Sequence, residues 1–339
     1  MRKLKFALFG TGFWARYQLS GWRELPGAEC VALYNRTISK ADALAAEFGI
    51  PSTYDDAEEL LRKEVLDFID IATDVNHHQV FVNMAAAHRL PVICQKPMAP
   101  TLAIAKQMVE TCRNAGVRFL VNENWRWQTP LRSLKQILQS GEIGAPFRAR
   151  LDMISGFPVF RNQPFLRDLE KFILMDLGSH ILDVARFLFG EADSLYCYTQ
   201  KIHPGIAGED VATVMLRMGG STTVVVEMAY AENPLERECF PQTLVFVEGE
   251  KGSLELGQDY CIKTTTAQGT TAKQYPPPSY AWANPAYQVV HSSIVACQAN
   301  LLQGLHGIPA ETDGEDNLKT ARLIFASYDS AASGHSVRF

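Results

Sequence analysis

The first part of the chain alternates short apolar runs with segments of helical spacing, and this alternation restricts the possible folds more than any other feature. The apolar runs predict strands over KLKFALFG, ECVALYNRT, DFIDIAT, LPVIC and VRFLVNEN. Helices are predicted between them over FWARYQLSGWREL, SKADALAAEFG, VFVNMAAAH and LAIAKQMVETCRNAG. Ser39 opens the second of these helices, Gly49 closes it, and Gly116 ends the last one. Strands joined by helices pack as a parallel, doubly wound sheet, which we expect over residues 1–124.

After residue 124 the pattern changes to consecutive strands. Two helices are predicted over PLRSLKQILQSGEIG and LMDLGSHILDVARFLFG, and strands follow over SLYCYTQKI, VATVMLRM, STTVVVEMAY, TLVFVEG and GSLELG. Strands without helices between them favour a large open sheet, mostly antiparallel and flanked by helices. Long helices are predicted near 287–304 and 315–333. We therefore expect an α/β domain over 1–124 and an α+β domain over 125–339, whose last helix can pack back on the first domain.

Composition narrows the class of ligand. The chain has 32 Lys and Arg against 37 Asp and Glu, a formal net charge of −5, and no block of basic residues. Nucleic acids are held by neutralising their phosphates, so this balance argues against a nucleic-acid partner. A small molecule is the expected partner, and no metal site is predicted.

Cysteine usage and the N-terminus bear on the compartment. The seven cysteines are scattered and form no C-x-x-C pair, which is typical of a reducing compartment. The N-terminal stretch is basic and then apolar, but Gly10 and Gly12 interrupt it before a signal-peptide core is complete. We therefore expect a cytoplasmic protein with no membrane contact.

The stretch GTGFWA lies between the first predicted strand and the first predicted helix. In that context G-x-G-x-x-[GA] predicts a dinucleotide-binding loop: Gly10 permits the tight turn, Gly12 lets the backbone approach a pyrophosphate, and Ala15 keeps helix and strand close. The alternative is a purely structural glycine turn. The predicted cofactor contacts in this loop are Gly10, Thr11, Gly12, Phe13 and Trp14.

The end of the second strand, LYNRT, is where such a fold reads the adenosine ribose. An acidic residue there would favour NAD, but the chain has Asn35 and Arg36. Because an arginine can pair with a 2′-phosphate, the sequence favours NADP slightly over NAD. Alternatively, Arg36 stacks on adenine or lies in solvent.

PVICQKPMAP places Lys96 at the carboxyl end of a predicted strand, where open parallel sheets bind their ligands. Pro97 restricts the backbone before it, so the direction of the lysine is set by the chain. A lysine in solvent is the other interpretation.

Asp176 and His180 lie four residues apart in the helical pattern FILMDLGSHILDVARFLFG, hence on one face. Their neighbours are apolar, so a carboxylate and an imidazole there need a reason. A pair that only stabilises the helix is the alternative. Asp183 suits a structural partner better than a catalytic one.

Together these segments resemble the glucose-fructose oxidoreductase/inositol dehydrogenase (Gfo/Idh/MocA) family over essentially the whole chain. The resemblance rests on GTGFWA, QKP at 95–97, DLGSH at 176–180 and the closing ETDGEDNLKTARLIFASYDSAASG. It implies an N-terminal Rossmann domain and a second domain whose open sheet serves the substrate pocket and subunit contact, in a homodimer or homotetramer. It also implies oxidation of a sugar or cyclitol hydroxyl, or reduction of the ketone, with NADP or NAD.

The resemblance assigns roles to three residues. Lys96 would hydrogen-bond the reacting oxygen, His180 would act as general base or acid, and Asp176 would hold the substrate and the imidazole. Alcohol oxidation independently calls for a group that titrates near neutrality and a cation beside the developing alkoxide.

The chain departs from the family in three segments. Gln95 replaces the usual glutamate before the lysine, Asp74 in TDVNHH stands where proline is common, and KFILM replaces a run of small residues. Substrate choice is the inference these changes weaken most. Further cofactor contacts are still predicted from Thr73, Asn76, His78, Gln95 and Lys96.

Additional substrate contacts are predicted from NENWRWQTP and FRNQPFL, because aromatic faces and arginine donors suit a polyol. For the aromatic segment, a hinge between the domains is an equal alternative. His203 in IHPGIAGED is a further polar candidate. With Lys96, Asp176 and His180, the predicted substrate contacts are Asn122, Trp125, Arg126, Trp127 and Arg161.

The sequence thus predicts an NAD(P)-dependent oxidoreductase that interconverts a hydroxyl and a ketone, or a lactol and a lactone, on a sugar, sugar derivative or cyclitol. A non-catalytic dinucleotide-binding regulator on the same scaffold is the alternative from another class, although it has no need of Lys96, Asp176 and His180 together. A reductase of imines or of a bilin would require a narrow, apolar cleft.

Overall fold

Residues 2–219, 221–231 and 241–339 are described by a computed structural model, in which the chain divides into two units. The first unit contains the described residues up to Asn124 together with Ile294–Ala321. The second contains the described residues of Trp125–Ser293 and Arg322–Phe339. The helices Gln288–Leu305 and Gly314–Ser333 therefore each contribute to both units.

The first unit is built on a parallel sheet, as the sequence predicts, and this sheet has six strands. Its strands are β1 (Leu4–Phe9), β2 (Ala28–Tyr34), β3 (Ser52–Tyr54), β4 (Phe68–Ile71), β5 (Val92–Gln95) and β6 (Phe119–Asn122). In space they follow the order β3-β2-β1-β4-β5-β6. The direction of winding reverses between β1 and β4, and such a reversal is where open parallel sheets bind nucleotides.

The helices that connect these strands are α1 (Phe13–Arg23), α2 (Ile38–Phe48), α3 (Ala57–Lys63), α4 (His78–Ala87) and α5 (Leu102–Ala115). Thr37, not Ser39, precedes the first residue of α2, so the predicted start of that helix is wrong. Gly49 and Gly116 end α2 and α5 in the left-handed conformation that glycine adopts without strain. The sequence analysis missed β3 and α3, because both are short and β3 contains only the half-buried STY.

The strands of this sheet are apolar on both faces because helices cover both sides. Phe6, Leu8, Ile69 and Ile93 are fully buried, and the Phe6 ring stacks on Phe68 with centroids 4.8 Å apart. Such a core leaves little room for a charged side chain.

The second unit contains a nine-stranded, mostly antiparallel sheet, which confirms the predicted fold class. Its strands are β7 (Pro146–Ser155), β8 (Ala192–Gln200), β9 (Val211–Met218), β10 (Thr222–Tyr230), β11 (Leu244–Gly249), β12 (Gly252–Leu256), β13 (Cys261–Thr266), β14 (Gly269–Gln274) and β15 (Val337–Arg338). Their order is β14-β13-β12-β11-β7-β10-β9-β8-β15, and β7 and β10 form the parallel pair. The sequence analysis missed β7, whose outward positions carry Arg148, Arg150 and Asp152, and the Thr-rich β13 and β14.

The helices of this unit include α6 (Thr129–Ser140), α7 (Val159–Asn162), α8 (Ile173–Asp176) and α9 (Gly178–Phe189); α10 (Gln288–Leu305) and α11 (Gly314–Ser333) follow. The single helix predicted around Asp176 and His180 is divided at Leu177. The chain keeps its helical direction there, because Leu177 has helical dihedrals and its carbonyl accepts from the Ile181 amide.

The structure also bears on two expectations from the sequence, the lack of a membrane span and the free state of the cysteines. Within the described ranges, no helix combines the length and apolarity needed to cross a membrane. The six cysteines in this part of the chain are free thiols, and Cys239 lies outside the described residues.

Asp70 is an ionisable group in the middle of the buried β4. It is 1% exposed and accepts a hydrogen bond of 2.7 Å from the Trp22 indole nitrogen. Burial raises the pKa of Asp70 from 3.8 to about 7, and the bond from Trp22 offsets only part of this shift. Between these two values the folded chain retains a proton that the unfolded chain has lost, so stability falls as pH rises.

We expect Asp70→Asn to remove this pH dependence, because an amide oxygen can still accept from Trp22 but cannot ionise. From pH 5 to pH 8 the wild-type chain should lose about 3 kcal/mol of unfolding free energy relative to the variant. Urea unfolding of both proteins at the two pH values measures the difference. An equal pH dependence in the two proteins would show that Asp70 does not titrate in this range.

Candidate functional site

The loop between β1 and α1 has the shape of a phosphate-binding turn. Gly10 has φ +99°, and a β-carbon there would lie 2.7 Å from the Ala72 carbonyl oxygen, so only glycine fits. At Gly12 a β-carbon would meet no described protein atom within 4 Å. Packing therefore explains Gly10 but leaves open space at Gly12, as expected where a ligand approaches the backbone.

Thr11 supplies a second sign of a ligand at this loop. Its hydroxyl oxygen is buried and has no hydrogen-bond partner among the described residues. Gly12 stands at the start of α1, and within the described part of the chain no side chain caps the free amides of that helix end. An orphaned hydroxyl beside uncapped amides fits the pyrophosphate of a dinucleotide. Phe13 is 63% exposed next to them, and its ring contacts Trp14 and Tyr17.

Asn35 and Arg36 follow β2, as predicted for the residues that read the ribose. The Asn35 side chain donates to the Thr37 carbonyl at 3.2 Å. Arg36 is exposed and forms no hydrogen bond or ion pair within the described part of the chain. Its guanidinium is therefore available to an anionic group.

The loop after β4 is held by its own side chains. Asp74, where the family commonly has proline, accepts from the amide and side chain of Asn76 at 3.0 and 2.8 Å. His78 is 1% exposed, and its two ring nitrogens lie 3.2 Å from the carbonyl oxygens of Met98 and Thr73. Burial lowers the pKa of His78. Its imidazole thus joins two loops and has no exposed edge for the cofactor contact that the sequence predicts.

Lys96 directly follows β5 and is half-buried. The Gln95 side-chain oxygen accepts from the Lys96 amide at 2.9 Å, so the residue that replaces the family's glutamate fixes the backbone of the lysine. Asn122 pairs with Gln95 across the sheet but is 1% exposed and donates to Gln18. Gln298 donates to the same Gln18 oxygen at 2.7 Å. Asn122 therefore belongs to a buried amide network, and its own side-chain oxygen has no hydrogen-bond partner among the described residues.

In the second unit, Trp125 lies against His180. The two rings are stacked, with centroids 4.2 Å apart and planes inclined by 24°. The Trp125 indole nitrogen donates to the Thr243 hydroxyl at 2.9 Å, and His180 is 5% exposed. The indole thus fixes the plane of the imidazole.

Arg126, predicted as a substrate contact, forms a buried ion pair. Its guanidinium makes two hydrogen bonds to the Asp183 carboxylate, of 2.7 and 2.5 Å. Arg126 is 5% exposed and Asp183 is fully buried, with Arg186 3.7 Å from the same carboxylate. Because Trp125 and Arg126 are adjacent, and His180 and Asp183 lie on α9, the two contacts clamp one short segment to one helix.

The remaining predicted contacts differ in their surroundings. The Arg132 guanidinium lies 4.4 Å from the ring centre of Trp127. Arg161 on α7 is exposed, and its side chain has no hydrogen bond or ion pair to another described residue. His203 contacts the buried Asp210 carboxylate at 2.6 Å. Of these, only Arg161 presents an uncommitted charged group.

Asp176 ends α8 and is half-buried, and its Oδ2 accepts from the Tyr230 hydroxyl at 2.9 Å. Sequence reasoning missed Tyr230, because it is the last residue of an apolar strand and belongs to no motif. It also missed a group of rings near this strand end. Their members are Phe157, Phe172, Trp282, Tyr287 and His291.

His291 has a defined protonation state within this group. Burial lowers its pKa to about 4, and its Nδ1 accepts from the Asn284 amide at 3.1 Å. The ring is therefore neutral at pH 7 with its proton on Nε2.

Both halves of the chain match family models. The oxidoreductase family model with the NAD-binding Rossmann fold matches residues 4–123, and the GFO/IDH/MocA C-terminal domain matches residues 131–255. The chain is 42% identical to D-apiose dehydrogenase of Rhizobium rhizogenes, covering 99% of this chain and 98% of the relative. It is 43% identical to D-apiose dehydrogenase of Paraburkholderia graminis, covering 99% and 90%.

A solved structure shares the fold closely. It is an oxidoreductase from Agrobacterium radiobacter in complex with NAD+, L-tartaric acid and magnesium. It superposes with a TM-score of 0.96 at 42% identity, covering 99% of this chain and 98% of that one.

A stability measurement distinguishes a structural role of Arg126 in its ion pair with Asp183 from a role in substrate binding. Arg126→Met leaves the buried Asp183 carboxylate without its bidentate partner and should lower the unfolding free energy by about 3 kcal/mol. As a control, Arg148→Met removes an exposed partner of Glu248 and should change stability little. If Arg126→Met leaves stability unchanged and raises only KM, Arg126 binds substrate after all.

Proposed function

Because the chain belongs to the Gfo/Idh/MocA family of NAD-binding oxidoreductases, we propose that it oxidises a sugar hydroxyl, with D-apiose as the leading candidate substrate. The observation that carries the substrate proposal is the identity of 42% and 43% to two D-apiose dehydrogenases over 99% of the chain. The reaction removes a hydride from the carbinol carbon and a proton from its hydroxyl, and it leaves a ketone or, from a lactol, a lactone.

The residues at the Gly10–Gly12 turn fit a nicotinamide dinucleotide. The backbone at Gly12 and the Thr11 hydroxyl would bind the pyrophosphate. Gln95 holds the Lys96 backbone at the end of β5. When bound, the cofactor supplies the hydride acceptor, and the protein supplies placement and proton transfer.

His180 is the proposed general base. Its ring plane is set by the Trp125 indole, so its nitrogens have a fixed direction. A neutral imidazole has one unprotonated nitrogen, which can take the hydroxyl proton. Trp125, predicted as a substrate contact, acts in this proposal by orienting the base.

Lys96 and Asp176 complete the proposed chemistry. The Lys96 ammonium donates to the reacting oxygen and stabilises its negative charge as the proton leaves. Asp176 accepts from a substrate hydroxyl and holds the sugar in register with the base. A regulator on this scaffold needs none of these three groups together, and the D-apiose relatives are enzymes.

Two substitutions test the assignment directly. Lys96→Ala and His180→Ala should each lower kcat on the best sugar by about 10²-fold or more. The substrate comes from a panel of D-apiose, D-xylose and myo-inositol assayed with NAD and NADP, by the absorbance of the reduced cofactor. Lys106→Ala and His306→Ala, which remove exposed residues of the same types, serve as controls. Full turnover in both active-site variants would exclude the proposed roles.

For the cofactor we propose that NAD is used and that Arg36 allows NADP as well. NAD+ is the ligand of the Agrobacterium radiobacter structure, whereas the exposed Arg36 suits a 2′-phosphate.

Arg36→Ala should lower kcat/KM for NADP by about 10-fold or more and for NAD by less than about 3-fold, because a charge-assisted bond is lost only with the phosphate. Steady-state kinetics with each cofactor measure the two ratios. Equal losses would show that Arg36 contacts a part that both cofactors share.

We further propose a homo-oligomer that covers the outward face of the nine-stranded sheet. Tyr198, Met215 and Phe246 on this face are 64%, 50% and 39% exposed. Met215 pairs with Val225 across the sheet, and Arg150 pairs with both Val225 and Phe246, so the apolar positions are nearly continuous. Light scattering should give a molar mass of at least twice the 37.7 kDa of one chain. Met215→Glu should lower this mass, because it puts a charge on the apolar face. A monomer of the unmodified chain would contradict the proposal.

A further inference from the structure

Tyr230 occupies a fixed position at the end of a central strand. Its strand, β10, is hydrogen-bonded to β7 on one side and to β9 on the other, and the Tyr230 amide donates to the Asp210 carbonyl at 3.0 Å. The side chain is 4% exposed, and its ring stacks on Phe172 with centroids 5.5 Å apart and planes inclined by 13°. The phenol oxygen therefore has little freedom.

The Tyr230 phenol donates a hydrogen bond of 2.9 Å to Oδ2 of the Asp176 carboxylate. Burial raises the pKa of Tyr230 well above its usual value, and the Asp176 carboxylate adds to the shift. The phenol is therefore protonated throughout the range in which an enzyme works, and it always donates.

The other end of the segment that carries Asp176 is held by Glu209, a buried residue. Its carboxylate accepts from the amides of Phe172, at 3.2 and 3.3 Å, and of Leu174, at 3.1 Å. It also accepts from the Tyr328 hydroxyl at 2.7 Å, and its carbonyl accepts from the Ile173 amide. The start of α8 is thus fixed by Glu209, and its last residue by Tyr230.

We propose that Tyr230 is a positioning residue that orients the Asp176 carboxylate for substrate binding. The proposal rests on the function proposed above, in which Asp176 contacts the sugar. A carboxylate is planar, so a fixed Oδ2 also sets the direction of Oδ1. A hydrogen bond to the charged form favours that form, which matters for a carboxylate among apolar neighbours.

Tyr230→Phe removes the phenol oxygen and retains the ring that stacks on Phe172. We expect kcat/KM to fall by about 10-fold. We also expect the acid side of the pH–activity profile to move upward by about 0.5 to 1 pH unit, because a carboxylate that loses the hydrogen bond from Tyr230 takes up a proton more readily. The wild-type enzyme and the variant are compared with the best sugar and a saturating cofactor.

Tyr328→Phe is the matched control, because it also removes a phenol that donates to a carboxylate, but the carboxylate is that of Glu209. Tyr328→Phe can lower the melting temperature as much as Tyr230→Phe does. It should nevertheless leave the acid side of the pH–activity profile where it is in the wild-type enzyme. A general loss of packing would instead affect both variants alike in stability and shift neither profile.

A double variant tests whether Tyr230 acts through Asp176. Adding Tyr230→Phe to Asp176→Asn should lower kcat/KM by less than about 2-fold beyond Asp176→Asn alone. Losses that multiply, or a Tyr230→Phe profile that coincides with wild type, would overturn the proposal. If Asp176→Asn itself keeps full turnover, the proposed function of Asp176 fails instead, so the two failures are distinguishable.

Discussion

The second unit depends on holding ionisable groups among buried side chains. Asp183 is fully buried and His180 is nearly so, on a helix whose other neighbours are largely apolar. A buried polar group without a partner costs about 1–3 kcal/mol, and an unpaired charge costs more. The two carboxylates are matched, Asp183 by Arg126 and Asp176 by Tyr230, and the His180 ring is held in its plane by stacking on the Trp125 indole. These partners come from different parts of the chain, so the local fold and the chemistry constrain each other.

In the first unit, by contrast, the turn from Gly10 to Gly12 leaves open space and a buried hydroxyl without a partner among the described residues. Gly10 is required by the close approach of the Ala72 backbone, whereas Gly12 faces open space and the Thr11 hydroxyl lacks a partner among the described residues. A folded chain ordinarily fills space and satisfies buried hydroxyls. The exceptions occur in one turn at the start of α1, where a dinucleotide would fill the space. Lys96 follows β5, and the Gln95 side chain fixes its backbone, so the point from which the lysine side chain extends is defined.

Much of the fold could be predicted because its signals are local. The strand-helix alternation, the glycines that end α2 and α5, and the inward-outward pattern of β8 to β12 all follow from neighbouring residues. The sequence analysis missed β7, β13 and β14, whose exposed faces carry charged residues or threonines that also suit loops.

The candidate site was less predictable, because its partners are distant in sequence. The roles of Arg126 and His78 are set by Asp183 and by two carbonyls, which no motif encodes. Tyr230 lies 54 positions from Asp176. Motifs and spacing therefore identified which ionisable residues to consider. Only the three-dimensional structure shows which of them are buried and which groups they contact.

The central proposal is that Lys96 and His180 both take part in removing the hydroxyl proton from a sugar. Steady-state kinetics of Lys96→Ala, His180→Ala and the double variant test this claim most directly. Groups that act on one transition state lose their effect together, so the double variant should be about as slow as the slower single variant. Losses that multiply would contradict the account, because they would mean that the two residues contribute to separate events.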